Sequence, residues 1–79
     1  MKLTYDPRHN VAYIYVRDQP AQVETIRISD ELNIDIAPDG TVYGFELLNA
    51  NEQLAAGVRG ELLVINEQSG ARGTLRLPA

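Results

Sequence analysis

The chain has no cysteine. Disulfide staples, thiol nucleophiles and zinc–thiolate sites are therefore excluded, and the composition suits a reducing compartment. It has one histidine, and no serine or cysteine stands beside it to make a nucleophile–base pair. No apolar run approaches the roughly 20 residues of a membrane span. The opening Met1-Lys2-Leu3-Thr4-Tyr5-Asp6 lacks the apolar core of a signal peptide. The expectation is a cytoplasmic protein with no membrane partner. Seven basic residues lie scattered against eleven acidic ones, for a net charge of −4. Nucleic-acid binding needs clustered Lys and Arg to displace counterions, so no nucleic-acid partner is expected. Gly57, Gly60, Gly70 and Gly73 form neither a Gly-Lys-Ser/Thr loop nor a Gly-x-Gly-x-x-Gly turn. No cofactor is expected.

What is present is a β-rich pattern in 79 residues, read as one domain over 1–79. Residues 1–57 form its main body and 58–79 a C-terminal extension. Leu3-Thr4-Tyr5 is a short β segment. Asp6-Pro7-Arg8-His9-Asn10 supplies turn residues. Val11 to Arg17 is rich in β-branched and aromatic residues and is the clearest strand. Val23 to Ser29 and Leu32 to Ala37 alternate apolar and polar residues, as half-buried antiparallel strands do. The connections are short, so a five-stranded meander is the simplest topology.

Asp39-Gly40 predicts a two-residue hairpin turn. It pairs Pro38 with Thr41, Ile36 with Tyr43, Ile34 with Phe45 and Leu32 with Leu47. A one-residue slip would set Asp35 against Phe45. The preceding hairpin needs an odd loop, Ser29-Asp30-Glu31, to keep Ile28 on the face of Leu32. Ile14 can face Ile26, Ala12 can face Ile28, Leu3 can face Ile14 and Tyr5 can face Ala12. One face then holds Leu3, Tyr5, Ala12, Ile14, Val16, Ile26, Ile28, Leu32, Ile34, Ile36, Tyr43, Phe45 and Leu47, and this is the expected core. The other face is polar, with Tyr13 and Tyr15 in its middle.

Asn49-Ala50-Asn51-Glu52 reads as a capping box in which Asn49 accepts from the amide of Glu52. A short helix over about 50–56 follows, stopped by Gly57. One short helix cannot cover five strands, so the extension must contribute. Leu62-Leu63-Val64-Ile65 and Thr74-Leu75-Arg76-Leu77 flank a turn at Ser69-Gly70-Ala71-Arg72-Gly73 and predict a second hairpin. That hairpin packs over the core or extends a sheet edge, and a second chain can complete either arrangement.

Three stretches together resemble a family of small bacterial proteins, the domain-of-unknown-function family 2283. They are Tyr5-Asp6-Pro7, Asn10-Val11-Ala12-Tyr13-Ile14, and Asp39-Gly40-Thr41-Val42-Tyr43-Gly44-Phe45-Glu46-Leu47-Leu48-Asn49-Ala50. The resemblance covers about residues 1–54. It implies a small cytoplasmic β-rich domain and no established activity. Some relatives lie beside toxin-like proteins, so it also implies an antitoxin-like partner role as an alternative. Asn10 stands where the family commonly has aspartate, and His9 where a small or acidic residue is common. Both departures weaken any acidic metal site at that turn.

Three constellations bear on chemistry. Asp6, His9 and Asn10 share one turn, where a His–carboxylate pair suits a base and its orienter, although turn formation accounts for all three. Asp35 and Glu46 are diagonal carboxylates on the polar face. They suit a hard cation in a minimal metal-binding or enzymatic domain, or a cross-strand charge network neutralised by Arg27. Gly44 interrupts a strand, which asks for close approach or a bulge. It shares a row with Lys2, Tyr15, Thr25 and Asp35, and the neighbouring row holds Thr4, Tyr13, Arg27, Asn33 and Glu46. Tyr13, Tyr15, Arg27, Asp35, Gly44 and Glu46 form a candidate partner-binding patch, because Tyr and Arg are enriched at binding hot spots.

The expected fold is a small α+β domain with an antiparallel five-stranded sheet, one short helix and a C-terminal β-hairpin. The expected function is a non-catalytic module, not an enzyme, that self-associates as a homo-oligomer or binds a small protein partner.

Overall fold

The structure, a computed structural model, describes residues 1–17, 22–55 and 61–76. Five antiparallel strands form one sheet: β1 (Lys2–Asp6), β2 (Val11–Tyr15), β3 (Glu24–Ser29), β4 (Leu32–Ile36) and β5 (Val42–Leu48). A single helix, α1 (Ala50–Ala55), follows. A hairpin of β6 (Glu61–Ile65) and β7 (Arg72–Arg76) forms a separate two-stranded sheet. This is the α+β class expected. The helix stop expected at Gly57 lies outside the described residues. No described helix is long and apolar enough to cross a membrane.

The strand order is β1-β2-β5-β4-β3, which corrects the sequential order. β2 pairs with β5, so Ile14 stands opposite Phe45 and Ala12 opposite Leu47. The expected pairs of Ile14 with Ile26 and Ala12 with Ile28 do not form. The reason is that β2 presents the same alternation to any neighbour: Ala12 and Ile14 to one face, Tyr13 and Tyr15 to the other. Alternation selects the face and leaves the neighbour open. β3 becomes an edge strand.

Registers within the hairpins follow the expected parity. Leu3 meets Ile14 and Tyr5 meets Ala12. Leu32 meets Leu47, Ile34 meets Phe45 and Asp35 meets Gly44. The turn between β4 and β5 differs. Gly40 N donates to Ala37 O and Ala37 N donates to Thr41 O, both at 2.9 Å, which closes a three-residue loop over 38–40. Gly40 takes φ +86°, the left-handed position of such a loop. Pro38 and Thr41 therefore do not pair. Ile36 pairs with Val42 instead of Tyr43, and a bulge between Asp35 and Ile36 returns the rest of the ladder to the expected register. A second bulge falls between Arg27 and Ser29. Ser29 meets Leu32 across a tight Asp30–Glu31 turn, so the parity required of an odd loop comes from a bulge at Ile28.

The helix start also differs from the expected capping box. Asn49 has φ +53°, outside the extended region an N-cap residue occupies. Its side-chain Nδ2 donates to Glu52 Oε2 at 2.9 Å, while the Glu52 amide donates to the Asn49 backbone carbonyl at 3.2 Å and to Asn51 Oδ1 at 2.9 Å, not to the Asn49 side chain. The cap comes from the first turn of the chain. Asn10 O accepts from Ala50 N at 3.1 Å, and Asn10 Oδ1 accepts from Asn51 N at 2.7 Å. Gln53 Nε2 donates to Glu31 O and Leu48 O, which ties α1 to the end of β5 and to the Asp30–Glu31 turn.

The expected core is only partly covered. Among the described residues, Ala12 and Ala50 are the buried hydrophobic residues and no large side chain is fully buried. Ile14, Leu32, Ile34, Phe45 and Leu47 are half-buried. Leu3, Ile26 and Ile28 are exposed. The hairpin turns through Asn66, whose Oδ1 accepts from Gln68 N and Ser69 N, with Gly70 at φ +76°.

Candidate functional site

The polar face holds the candidate residues, and the observed strand order keeps both expected rows while changing who stands next to whom. One row runs Lys2, Tyr15, Gly44, Asp35, Thr25. The other runs Thr4, Tyr13, Glu46, Asn33, Arg27. The two tyrosines of β2 thus lie directly beside the glycine and glutamate of β5.

Gly44 is buried, and Tyr13 is what covers it. The Tyr13 ring crosses the bare backbone of Gly44 and places its hydroxyl 2.5 Å from Asp35 Oδ2, two strands away. A Cβ on Gly44 would lie 2.5 Å from Tyr13 Cε1 and 2.7 Å from the backbone oxygen of Ile14. The glycine is thus required by the close approach of a tyrosine. Asp35 Oδ1 accepts a second hydroxyl, Thr25 Oγ1, at 2.6 Å. Partial burial first, and then the hydrogen bond to the Asp35 carboxylate, push the Tyr13 phenol well above its ordinary 10.0. Tyr13 is therefore a hydrogen-bond donor to Asp35 at neutral pH.

The other aromatic groups extend this cluster. The Tyr13 and Tyr15 ring centroids are 4.4 Å apart and the planes tilt by 51°. Tyr43 stands edge-on to Tyr15 at 6.3 Å and 76°. Tyr43 was expected in the core. The bulge opposite Ile36 re-aims it to the polar face, and no local signal in the sequence marks that bulge. Lys2 Nζ lies 4.3 Å from the Tyr15 ring centroid in a cation–π contact.

Glu46 and Arg27 stand apart from this cluster. Glu46 Oε1 accepts from Asn33 Nδ2 at 3.0 Å. Arg27 pairs with Asp30 three residues on, at the surface, and does not neutralise Asp35 or Glu46. Thr25 and Asn33, row members outside the candidate patch, supply a second donor to Asp35 and a donor to Glu46. Among the described residues, no three of His, Cys, Asp and Glu gather as metal ligands.

The Asp6–His9 pair forms as a turn. Asp6 Oδ1 accepts from Arg8 N and His9 N, and Asp6 Oδ2 lies 2.7 Å from His9 Nδ1. The His9 side-chain hydrogen bond is the largest influence holding the exposed Asp6 carboxyl below its ordinary 3.8. Asn10 leaves this pair for the helix and has no part in it.

Comparison with known proteins places this geometry in a family. No solved structure matches the chain. A curated relative, the "Uncharacterized protein YuzE" of Bacillus subtilis (strain 168), is 35% identical over 63 residues, covering 75% of this chain and 49% of its own length. The chain thus spans about half the length of that relative. The family model for "Protein of unknown function (DUF2283)" matches residues 2–51, which run from the first strand through the helix start capped by Asn10. The chain belongs to that family.

Proposed function

We propose that the chain is a non-catalytic module whose role is a protein–protein contact, self-association included. The observation that carries this reading is the apolar surface left open: Leu3, Ile26 and Ile28 on the sheet, and Leu62 to Ile65 with Leu75 on the hairpin, are all at least 39% exposed. Large apolar side chains exposed in this number on a small domain mark interaction surface.

The tyrosine face supports a binding role over a reactive one. Its carboxylates are engaged by neutral donors, Tyr13 and Thr25 on Asp35 and Asn33 on Glu46. Its phenol is held protonated at neutral pH. Tyr13, Tyr15, Asp35 and Gly44 make a plate tied by the Tyr13–Asp35 hydrogen bond and the Tyr13–Tyr15 ring contact, and tyrosine loses little side-chain freedom on binding. Arg27 and Glu46 lie at its border. A cation site at Asp35 and Glu46 would have to displace these neutral donors, which makes that reading the weaker one.

Sedimentation at micromolar concentration tests the proposal. A dimer or larger species, or a stoichiometric protein partner carried through purification, is expected. A well-folded monomer that carries no partner overturns it.

A further inference from the structure

We propose that the occupant of the open apolar sheet face is the β6–β7 hairpin of a second copy of this chain, donated reciprocally. This deepens the self-association reading above and rests on it.

The hairpin is two-sided. The pairs Leu62–Leu75 and Val64–Gly73 put Leu62, Val64 and Leu75 on one face, which carries no charge. Glu61, Arg72 and Arg76 all lie on the other face, beside Leu63, Ile65 and Thr74, and there Arg76 pairs with Glu61. Gly73 leaves open space beside Val64, because an added Cβ there would meet nothing within 4 Å. Among the described residues, no hydrogen bond joins this hairpin to the five-stranded sheet. A lone two-stranded ribbon is marginal in water and needs another layer to lie against.

The sheet offers the matching half. The row Leu3, Ile14, Phe45, Ile34, Ile26 crosses all five strands without a charge. Its two ends are open, Leu3 at 45% and Ile26 at 39% exposed.

The exposed area is enough for a two-fold dimer. The chain exposes 6253 Å². A folded monomer of 8.8 kDa is expected to expose about 4,800 Å². The excess, about 1,500 Å² per chain, is close to twice what one partner buries in a standard-size complex. Doubled by a two-fold axis, it falls within the range of obligate homodimers. The radius of gyration agrees, at 13.9 Å against about 11.6 Å for a compact chain of this length. A net charge of −4 opposes contact between copies, and the uncharged row and ribbon face add no like-charge pair at the contact itself. Each copy holds one donor ribbon and one acceptor face, so two copies close on themselves and leave neither open.

Complementation tests the proposal. The wild-type chain is expected to sediment as a dimer at micromolar concentration. L75D damages the donor ribbon and I26D the acceptor face. Each variant alone is expected to weaken dimerisation about 100-fold or more, because each brings a carboxylate into an apolar contact. Mixed in equal amounts, they are expected to recover a heterodimer by native mass spectrometry, since one intact ribbon then meets one intact face. Circular dichroism of each variant separates lost folding from lost pairing, and recovery in the mixture shows that both chains are folded. A dimer that ignores both substitutions and breaks with Y15A overturns this arrangement and leaves self-association standing. A dimer broken by L75D and indifferent to I26D also overturns it, in favour of ribbon-to-ribbon pairing. A well-folded wild-type monomer, including one compacted by its own hairpin, overturns the reciprocal exchange and self-association together. A different protein held in stoichiometric complex by that monomer would preserve only the general binding reading.

Discussion

Tyr13 on β2 and Asp35 on β4 are joined by a 2.5 Å hydrogen bond that passes over Gly44 of the strand between them. One side chain thereby spans three strands of the sheet. The glycine, the tyrosine and the aspartate act as a unit, and each can be tested separately.

Replacing Gly44 should remove the lock by crowding. In G44A the new methyl would meet the Tyr13 ring and, less avoidably, the Ile14 carbonyl at 2.7 Å. Tyr13 can swing away, but a backbone oxygen yields little. The expected loss is about 2 kcal/mol, in the range of overpacked sites. It should appear as a lower urea midpoint with an unchanged slope. A midpoint at the wild-type value would mean that Tyr13 does not lie over this glycine.

The phenol sets an alkaline limit. Its folded value is raised above the ordinary 10.0, so the folded chain holds this proton more tightly than the unfolded chain does. The stability it contributes is complete below about pH 10 and declines as pH rises from there towards the folded value. The difference in 295 nm absorbance between wild type and Y13F during alkaline titration isolates this group, and its midpoint should lie above 10.0. Y13F should cost about 1 kcal/mol at neutral pH, because Asp35 keeps Thr25 and some access to water. Its stability should also fall less steeply above pH 10 than that of the wild type.

Asn10 carries the helix start from 41 positions away in sequence. N10A would remove the acceptor for Asn51 N and place alanine at φ +58°. Lost cap and left-handed strain together should cost about 2 kcal/mol. N10G should cost less, since glycine accepts the positive φ. N10D keeps an acceptor at the amide of Asn51 but loses the donor to Asn49 Oδ1, so it should cost about 1 kcal/mol, less than N10A. Thermal melts of the three variants give the order, and an N10A melt equal to that of N10D would show that the cap is idle.

Two exposed turns should titrate at low pH. Asp6, bonded to His9, and Asp39, bonded to the Thr41 hydroxyl and amide, are both held below 3.8. A depressed carboxyl contributes stability above its unfolded value and loses it as pH falls through the folded one. NMR should find both midpoints below 3.8. H9A should raise that of Asp6 and leave that of Asp39 in place, because Thr41 holds Asp39 through a separate turn.

Alternation along β4 and β5 makes the register of Leu32 with Leu47 and of Asp35 with Gly44 readable from residues alone. Row membership was equally readable, because parity survives any permutation of strands. Strand order was not, since β2 offers one face pattern to both β3 and β5. The Asp39-Gly40 dipeptide serves two- and three-residue loops alike, so the bulge it forced, and with it the turn of Tyr43 towards Tyr15, left no local trace. Gly44 was legible as a position of close approach but not as the seat of Tyr13. The Asn10 cap depends on two segments meeting, which no local window contains.

The place of β5 has a kinetic consequence. It is the last of the five strands to leave the ribosome, yet it lies in the middle of the sheet. The β1–β2 and β3–β4 hairpins can each form locally, but neither pairs with the other. A nascent chain that has not reached Val42 therefore presents two separate ribbons, each with an open edge that invites mispairing. The sheet becomes one object only when Val42–Leu48 inserts between them, closing Tyr15 onto Gly44 across more than a third of the chain. Such long-range closure is the slow event in folding, so refolding should await this one insertion, and changes at Gly44 should slow it as well as weaken its product.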